Sequence, residues 1–209
     1  MPPADLYLKH LNWLAYLSPA ECQAAGVHDG EEFLARLLQG KLDLRRCPGL
    51  SRQKRYALQV ALTGLKDPPS VEALPLPQPV PAGLHELNEP GPEAPVLVTG
   101  NSEITLTVLT AVLATTVSPF YLLLVDCRGD TVDMAMIYES LTAPRIVAAL
   151  EATELAARLT SRRLILPGLA AALKEPLENL TTWEVVSGPI CALELPLFLG
   201  DYWQPPAAW

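Results

Sequence analysis

Val96-Leu97-Val98-Thr99-Gly100-Asn101 is the first of four apolar runs in the second half of the chain that pass into small or turn-forming residues. The other three are Leu122-Leu123-Leu124-Val125-Asp126-Cys127-Arg128-Gly129-Asp130-Thr131, Leu164-Ile165-Leu166-Pro167-Gly168 and Trp183-Glu184-Val185-Val186-Ser187-Gly188-Pro189. Such runs are typical of buried parallel strands, and the intervals between them are long enough for crossover helices. The pattern predicts a Rossmann-like α/β domain with a mostly parallel sheet over residues 94–209.

Small and polar residues follow each predicted strand at its carboxyl end. In open α/β sheets ligands bind in the crevice beyond these ends, so the pattern predicts a binding site there. Short hydroxyl and amide side chains offer hydrogen bonds, and glycines permit close approach to the backbone. The same residues also suit ordinary βα turns and helix caps, and the pattern alone leaves both interpretations open. The candidate binding residues are Thr99, Gly100, Asn101, Ser102, Glu103, Thr105, Asp126, Gly129, Thr131, Pro167, Gly168, Gly188 and Pro189.

Charge is unevenly distributed along the 209 residues, which carry a net charge of −8. Residues 1–66 contain nine Lys/Arg against six Asp/Glu, whereas residues 67–209 contain six against seventeen. The acidic balance of the larger part argues against nucleic-acid binding, and the opposite signs permit electrostatic docking between the parts or onto a partner.

The chain begins Met1-Pro2-Pro3-Ala4-Asp5, without the basic start and apolar segment of a signal peptide, so we expect a cytoplasmic protein. Residues 104–125 form an uncharged stretch long enough for a membrane-spanning helix. Its hydroxyl residues and Pro119 instead favour a helix, a turn and a buried strand.

In a reducing compartment the four cysteines are expected to be thiols or metal ligands rather than disulfides.

Nine prolines between Pro68 and Pro95 indicate a boundary, and we predict an extended, semi-rigid linker over residues 67–93. Before it, residues 1–66 are predicted to form a small helical domain with helices near 4–17, 31–39 and 51–65. A unit of this size ordinarily needs a metal or a partner to be stable.

Cys22 and Cys47 lie in this helical part, separated by twenty-four residues. Here the chain resembles the iron-sulfur domain of the corrinoid iron-sulfur protein large subunit, in which cysteines spaced Cys-x2-Cys-x4-Cys-x16-Cys hold a four-iron cluster. Cys22 and Cys47 match the first and last of these ligands, but Ala25 and Gly30 occupy the other two positions. The resemblance therefore implies a degenerate domain without an intact cluster, and leaves Cys22 and Cys47 as vestigial metal ligands.

The second half resembles the corrinoid-binding domain of the same family, in order and at matching intervals over residues 94–203. The resemblance rests on residues 95–105, on Asp126-Cys127-Arg128-Gly129-Asp130-Thr131-Val132, on Leu166-Pro167-Gly168 and on residues 183–189. It implies a cobamide whose lower face lies on this domain, with its nucleotide tail displaced and no protein histidine on cobalt. The family's TIM barrel is missing. Glu103 does not fit this resemblance, because it would place a carboxylate near the lower face of the corrin. It could be a cobalt ligand or a sign that corrinoid binding was abandoned, but we interpret it as an acid in the first turn of a helix, where the helix dipole favours it.

The resemblance implies a corrinoid-binding protein of one-carbon methyl transfer, acting as a carrier or accessory rather than as an enzyme with its own catalytic residues. The alternative is a cofactor-free scaffold or regulatory pseudo-subunit that docks onto a methyltransferase or acetyl-CoA synthase partner. Signature loops of nucleotide-binding proteins and hydrolases do not occur in the sequence.

Overall fold

The computed structural model describes residues 4–73 and 76–209, so residues 1–3 of the predicted helical domain and 74–75 of the predicted linker lie outside it. The described chain divides into two compact units. The helical unit comprises residues 6–69, 112–117 and 191–209. The α/β unit comprises residues 4–5, 70–111 apart from 74–75, and 118–190.

The helical unit contains α1 (Pro19–Ala24), α2 (Gly30–Leu38) and α3 (Arg52–Lys66). Helix α1 begins at a capping box, in which the backbone nitrogen of Glu21 donates to Ser18 Oγ at 3.3 Å and the Ser18 nitrogen donates to Glu21 Oε2 at 2.8 Å. Helices α2 and α3 confirm the predictions for residues 31–39 and 51–65.

The prediction of a helix over residues 4–17 is wrong. This stretch forms two 3₁₀ turns, Leu8–His10 and Trp13–Tyr16, and a third such turn, Leu44–Arg46, precedes α3. Tyr7 has a left-handed backbone with φ of 56°, and the Asn12 side chain accepts a hydrogen bond from the backbone of Ala15 at 3.3 Å. Both features interrupt a continuous helix, because an Asn side chain competes with the helical backbone for its donors.

The α/β unit is built on one five-stranded sheet with the order β1-β3-β2-β4-β5. Its strands are β1 (Gly83–Leu87), β2 (Val96–Gly100), β3 (Phe120–Val125), β4 (Arg163–Leu166) and β5 (Glu184–Ser187). Strands β2 to β5 are parallel, and β1 runs antiparallel to β3 at the edge. All four strands predicted from the apolar runs are confirmed, and the fold is α/β with a mostly parallel sheet.

The helices that follow the strands are α4 (Glu103–Leu113), α5 (Val132–Ile137), α6 (Ala143–Ala152), α7 (Leu155–Arg158) and α8 (Lys174–Leu180). One face of the sheet packs on a core that includes Val98, Leu123, Leu164, Ile146 and Leu177. Because side chains alternate along a strand, Leu97 and Thr99 lie on the opposite face from this core. Burial of this apolar surface stabilises the unit and holds the strand ends in place.

The uncharged stretch 104–125 divides between α4 and β3, as predicted. Across the described ranges, no helix is both long and apolar enough to cross a membrane.

The structure differs from the predicted boundaries at several places, since residues 4–5, 70–73 and 76–93 group with the α/β unit and residues 112–117 with the helical unit. Residues 83–87 of the predicted linker form β1, which tolerates neighbouring prolines because it is an edge strand. Residues 191–209, predicted to belong to the α/β domain, group with the helical unit and contain α9 (Leu195–Leu199). There the buried Glu194 accepts hydrogen bonds from Tyr16 Oη at 2.7 Å and from the Asn12 nitrogen at 3.1 Å.

Candidate functional site at the carboxyl edge of the sheet

The four parallel strands end at one edge of the sheet, and every turn that follows them carries predicted site residues. Two neighbouring pairs of turns are joined by hydrogen bonds. The turn after β2 is joined to the turn after β3, and the turn after β4 is joined to the turn after β5. The topology therefore brings the candidate residues to a common edge, in two halves.

Asn101 connects the first half. Its side chain is 3% exposed, and its Oδ1 accepts hydrogen bonds from the backbone nitrogens of Cys127 at 2.7 Å and Gly129 at 3.3 Å. Its own backbone nitrogen donates to the Val125 carbonyl at 3.0 Å. One buried amide thus holds the end of β2 against the turn that follows β3.

That turn reverses direction over Cys127 to Asp130, closed by a hydrogen bond of 3.1 Å from the Asp130 nitrogen to the Cys127 carbonyl. Arg128 and Gly129 at its centre have φ of 60° and 83°. Two successive left-handed residues are typical of a type I′ turn, which explains the glycine. Asp126 Oδ1 accepts from the Arg128 nitrogen at 3.0 Å and fixes the entry to the turn.

In the second half, Gly168 and Gly188 give room to the chain itself. A Cβ on Gly168 would lie 2.7 Å from the backbone nitrogen of Ile190, and one on Gly188 would lie 2.8 Å from the Leu166 carbonyl oxygen. The Gly168 nitrogen donates to the Pro189 carbonyl at 2.9 Å, and the Gly188 nitrogen donates to the Leu166 carbonyl at 2.7 Å. These glycines, with Pro167 beside them, allow the segments that follow β4 and β5 to lie close together.

Gly100 is less tightly constrained, because a Cβ on it would lie 3.3 Å from a side-chain atom, Cys127 Sγ. Cys127 is fully buried, and this burial raises the pKa of its thiol to about 11. The thiolate is the nucleophilic form, and this thiol stays protonated at neutral pH beneath the turn. We therefore assign Cys127 to packing and not to catalysis.

A segment of the proline-rich stretch covers the first half of the edge, and we call residues 77–81 the strap. The Glu103 nitrogen donates to the Gln78 carbonyl at 3.0 Å, and the Val80 nitrogen donates to the Asn101 carbonyl at 2.8 Å. Asn101 Nδ2 donates to the Val80 carbonyl at 2.8 Å. Gly129 lies beneath the strap, since a Cβ on it would lie 2.5 Å from the carbonyl carbon of Gln78.

Sequence reasoning missed the strap. The alternating prolines indicated an extended chain, but nothing in them indicates which surface that chain pairs with. Pro79 forms an isolated antiparallel bridge with the buried Ser102, so the contact joins residues more than twenty positions apart.

The remaining candidates differ in accessibility. Glu103 is exposed in the first turn of α4, where a carboxylate is favoured by the helix dipole. Thr105 is half-buried on the same helix, and Thr131 Oγ1 donates to Asp133 Oδ1 at 2.5 Å. Thr99 is 4% exposed, and in the described chain its Oγ1 is buried without a hydrogen-bond partner. It lies on the face of the sheet opposite the core, beneath the edge rather than beyond it.

A cleft of about 430 Å³ opens beside the strap. Within it, Asp130 Oδ2 accepts a hydrogen bond from Ser140 Oγ at 2.9 Å, and Arg145 donates to the Asp126 carbonyl at 3.0 Å. A corrin disc is larger than the drug-sized ligands that clefts of this size enclose, so the cleft has room for only part of one. Its lining residues are Pro77, Arg128, Asp130, Tyr138, Glu139, Ser140 and Arg145.

In the helical unit, Cys22 lies within α1 and Cys47 follows the third 3₁₀ turn. Both thiols are buried, and burial raises the pKa of each above its ordinary value. Ala25 and Gly30 supply no donor atoms at the other two positions, so these residues do not fit a four-iron cluster. Among the described residues, no group of three His, Cys, Asp or Glu side chains is placed to hold a metal ion.

The fold and these turns define an open α/β domain with its candidate site at the carboxyl ends of parallel strands. Residues 73–199, more than half of the chain, match the family model of the CO dehydrogenase/acetyl-CoA synthase delta subunit, and the chain belongs to this family. The matched region includes the strap, the whole sheet and α9.

Curated relatives agree with this assignment. The chain is 36% identical to the corrinoid/iron-sulfur protein large subunit of Moorella thermoacetica over 106 residues, which are 51% of this chain and 24% of that protein. It is 30% identical to the acetyl-CoA decarbonylase/synthase complex subunit gamma of Archaeoglobus fulgidus over 123 residues, 59% of this chain and 26% of the relative.

A third relative aligns over most of the chain. The subunit gamma of Methanocaldococcus jannaschii is 24% identical over 204 residues, which are 93% of this chain and 41% of the relative. The resemblance to the corrinoid iron-sulfur protein large subunit is thereby confirmed. The chain spans only about a quarter of the first two relatives' length.

Proposed function

We propose that this chain binds a corrinoid at the carboxyl edge of its sheet and acts as a carrier or accessory in one-carbon methyl transfer. The proposal rests on the family assignment and on one structural observation. At the first half of the edge, the Asn101 side chain and carbonyl and the Glu103 nitrogen hydrogen-bond to peptide groups of the strap. A corrin is an apolar disc edged with amides. The peptide groups of the strap are also amides, so these donors and acceptors already form hydrogen bonds of the kind that a corrin would need.

The contribution of the chain is binding and orientation. The corrinoid, when bound, supplies the methyl-carrying chemistry. Asn101 Nδ2 and the Glu103 nitrogen would donate to amide oxygens of the corrin edge, and the Asn101 carbonyl would accept from an amide nitrogen. The bare surface of Gly129 would allow the disc to approach the turn closely. We find no histidine in the α/β unit at this edge among the described residues, since His85 lies within β1.

The second candidate function is that of a cofactor-free scaffold that docks onto a partner subunit of a methyltransferase or acetyl-CoA synthase. Coverage of the candidate edge by the strap favours it, because a covered edge would bind nothing unless the strap moves. Ile137 and Tyr138, at the end of α5 beside the cleft, are 69% and 63% exposed and would suit contact with a partner.

The test is titration of the full chain with hydroxocobalamin and with cobinamide, in which bound corrinoid is measured after ultrafiltration and the visible spectrum is recorded. We expect saturable binding of both, and with hydroxocobalamin a spectral shift caused by displacement of the nucleotide tail from cobalt. Glu103→Arg, which places a long cationic side chain at the covered edge, should weaken binding by about tenfold or more, equivalent to about 1.4 kcal/mol.

Glu151→Arg is the matched control. Glu151 is also exposed, but it lies in the last turn of α6, near the opposite edge of the sheet. The same charge change there should leave affinity unaltered. Equal weakening by both variants would place binding outside the proposed edge, and absence of binding by the folded protein would favour the scaffold.

A further inference from the structure

The strap contacts the sheet edge through few groups, and these are backbone groups on its own side. Its hydrogen bonds to the edge are those of the Gln78 carbonyl, the Val80 nitrogen and the Val80 carbonyl. Its side chains add little, because Gln78 and Pro79 are exposed and Val80 is only half-buried. The hydrogen bonds therefore fix where the strap lies, and little apolar surface holds it there.

Composition makes the strap inexpensive to detach. Pro77, Pro79 and Pro81 have no backbone N–H, so detachment leaves few donors that need new partners. The prolines also keep the free segment extended, so detachment gains little conformational entropy and the strap binds again readily when the ligand leaves. Water can satisfy the carbonyls that detachment releases on the strap, and the groups uncovered at the edge are then accessible to a ligand.

The edge groups that detachment would expose form a compact set. They are the Asn101 amide and carbonyl, the Glu103 nitrogen and the surface of Gly129. All belong to the proposed corrinoid-binding edge. Peptide groups of the strap hydrogen-bond the first three, and the strap covers Gly129. The strap therefore occupies the place of an amide-bearing ligand.

We propose that residues 77–81 are a displaceable strap that competes with the corrinoid for the end of β2 and the Gly129 turn. Binding of the corrinoid and detachment of the strap are then one coupled exchange, in which ligand amides replace strap peptides. This inference rests on the proposed function. It adds that the chain closes its own site when empty, and that apparent affinity is lowered by the population of the closed state.

A disulfide lock provides the first test. Pro79 and Ser102 face each other in an antiparallel bridge between two hydrogen-bonded positions, where Cα atoms are about 4.5 Å apart, within the range of disulfides. The double variant Pro79→Cys/Ser102→Cys should bind hydroxocobalamin at least about tenfold more weakly when oxidised than when reduced. The reduced protein is its own control.

Loosening the strap provides the second test. Val80→Pro removes the hydrogen bond to the Asn101 carbonyl and changes no residue of the sheet. Loss of one such bond should raise hydroxocobalamin affinity about two- to twelvefold. The matched control is Ala82→Pro, at an exposed position outside the three hydrogen bonds, and its affinity should equal that of the unaltered chain.

The outcomes separate the two proposals. Equal binding by the unaltered chain, Val80→Pro and Ala82→Pro overturns the strap while leaving the proposed function intact, as does equal binding by the oxidised and reduced lock. If no protein binds, Val80→Pro included, the proposed function fails. If the reduced lock itself does not bind, comparison of the two proline variants decides.

Discussion

Replacement of Asn101 by alanine tests how the candidate edge is held together. The change removes the oxygen that accepts from the backbone nitrogens of Cys127 and Gly129, and it removes the amide that donates to the strap. Cys127 and Gly129 are both buried. Their N–H groups would lose their partner without direct access to water.

The expected cost follows from these contacts. A buried donor left unpaired costs about 1–3 kcal/mol. The Cys127 contact is short at 2.7 Å, whereas the Gly129 contact is long at 3.3 Å and contributes less. We therefore expect Asn101→Ala to lower the free energy of unfolding by about 3 kcal/mol.

Urea unfolding monitored by circular dichroism measures this loss, provided that the slope with denaturant is unchanged. Amide hydrogen exchange at residues 127 and 129 measures the local effect, and both amides should exchange faster. The matched control is Asn179→Ala, at an exposed position of α8, which should change stability by no more than about 0.5 kcal/mol. A loss for Asn101→Ala as small as that of the control would refute the role assigned to this side chain.

Three further outcomes are expected. Gly168→Ala should destabilise the protein by about 1–3 kcal/mol, measured by urea unfolding, because its Cβ would meet backbone at 2.7 Å; Gly91→Ala, which meets nothing within 4 Å, should not. Iodoacetamide should not modify Cys127 in the native protein at pH 8, but should modify it in urea, because the thiol is buried and its pKa is raised to about 11; labelling of the native thiol would be contrary to its placement. Burial raises the pKa of Glu21, but hydrogen bonds from Lys54 and Ser18 outweigh that effect and the pKa is lowered, so its stabilisation is present at neutral pH and lost as the pH falls through the lowered value. Glu21→Gln should therefore flatten the fall in unfolding free energy between about pH 5 and pH 3, and an unchanged slope would count against the pair.

The sheet was predictable because each central strand is a continuous apolar run closed by residues that end strands. Strand β1 was not, because Gly83-Leu84-His85-Glu86-Leu87 is short, mixed in polarity and flanked by prolines. Its place depends on pairing with β3, which is a tertiary contact. Residues 191–209 escaped prediction for a related reason, since the burial of Glu194 against Tyr16 joins positions 178 residues apart.

The location of the candidate edge was predictable, whereas its local contacts were not. Parallel topology alone brings Asn101, Gly129, Gly168 and Gly188 to one side of the sheet. Which of their groups contact the chain itself depends on distances that no local pattern encodes. Gly168 is a clear case. A glycine that makes room for a ligand and one that makes room for a neighbouring part of the chain look the same in the sequence.

Hydrogen exchange of the full chain with and without saturating hydroxocobalamin reports where the ligand binds, and so tests the proposed edge itself. We expect altered protection at residues 101–103 and 127–131, together with faster exchange at the Val80 amide as the strap detaches. Residues 19–38 of the helical unit should be unchanged. A corrinoid that binds without altering residues 101–103 and 127–131, or that alters only residues elsewhere, would contradict the proposed edge.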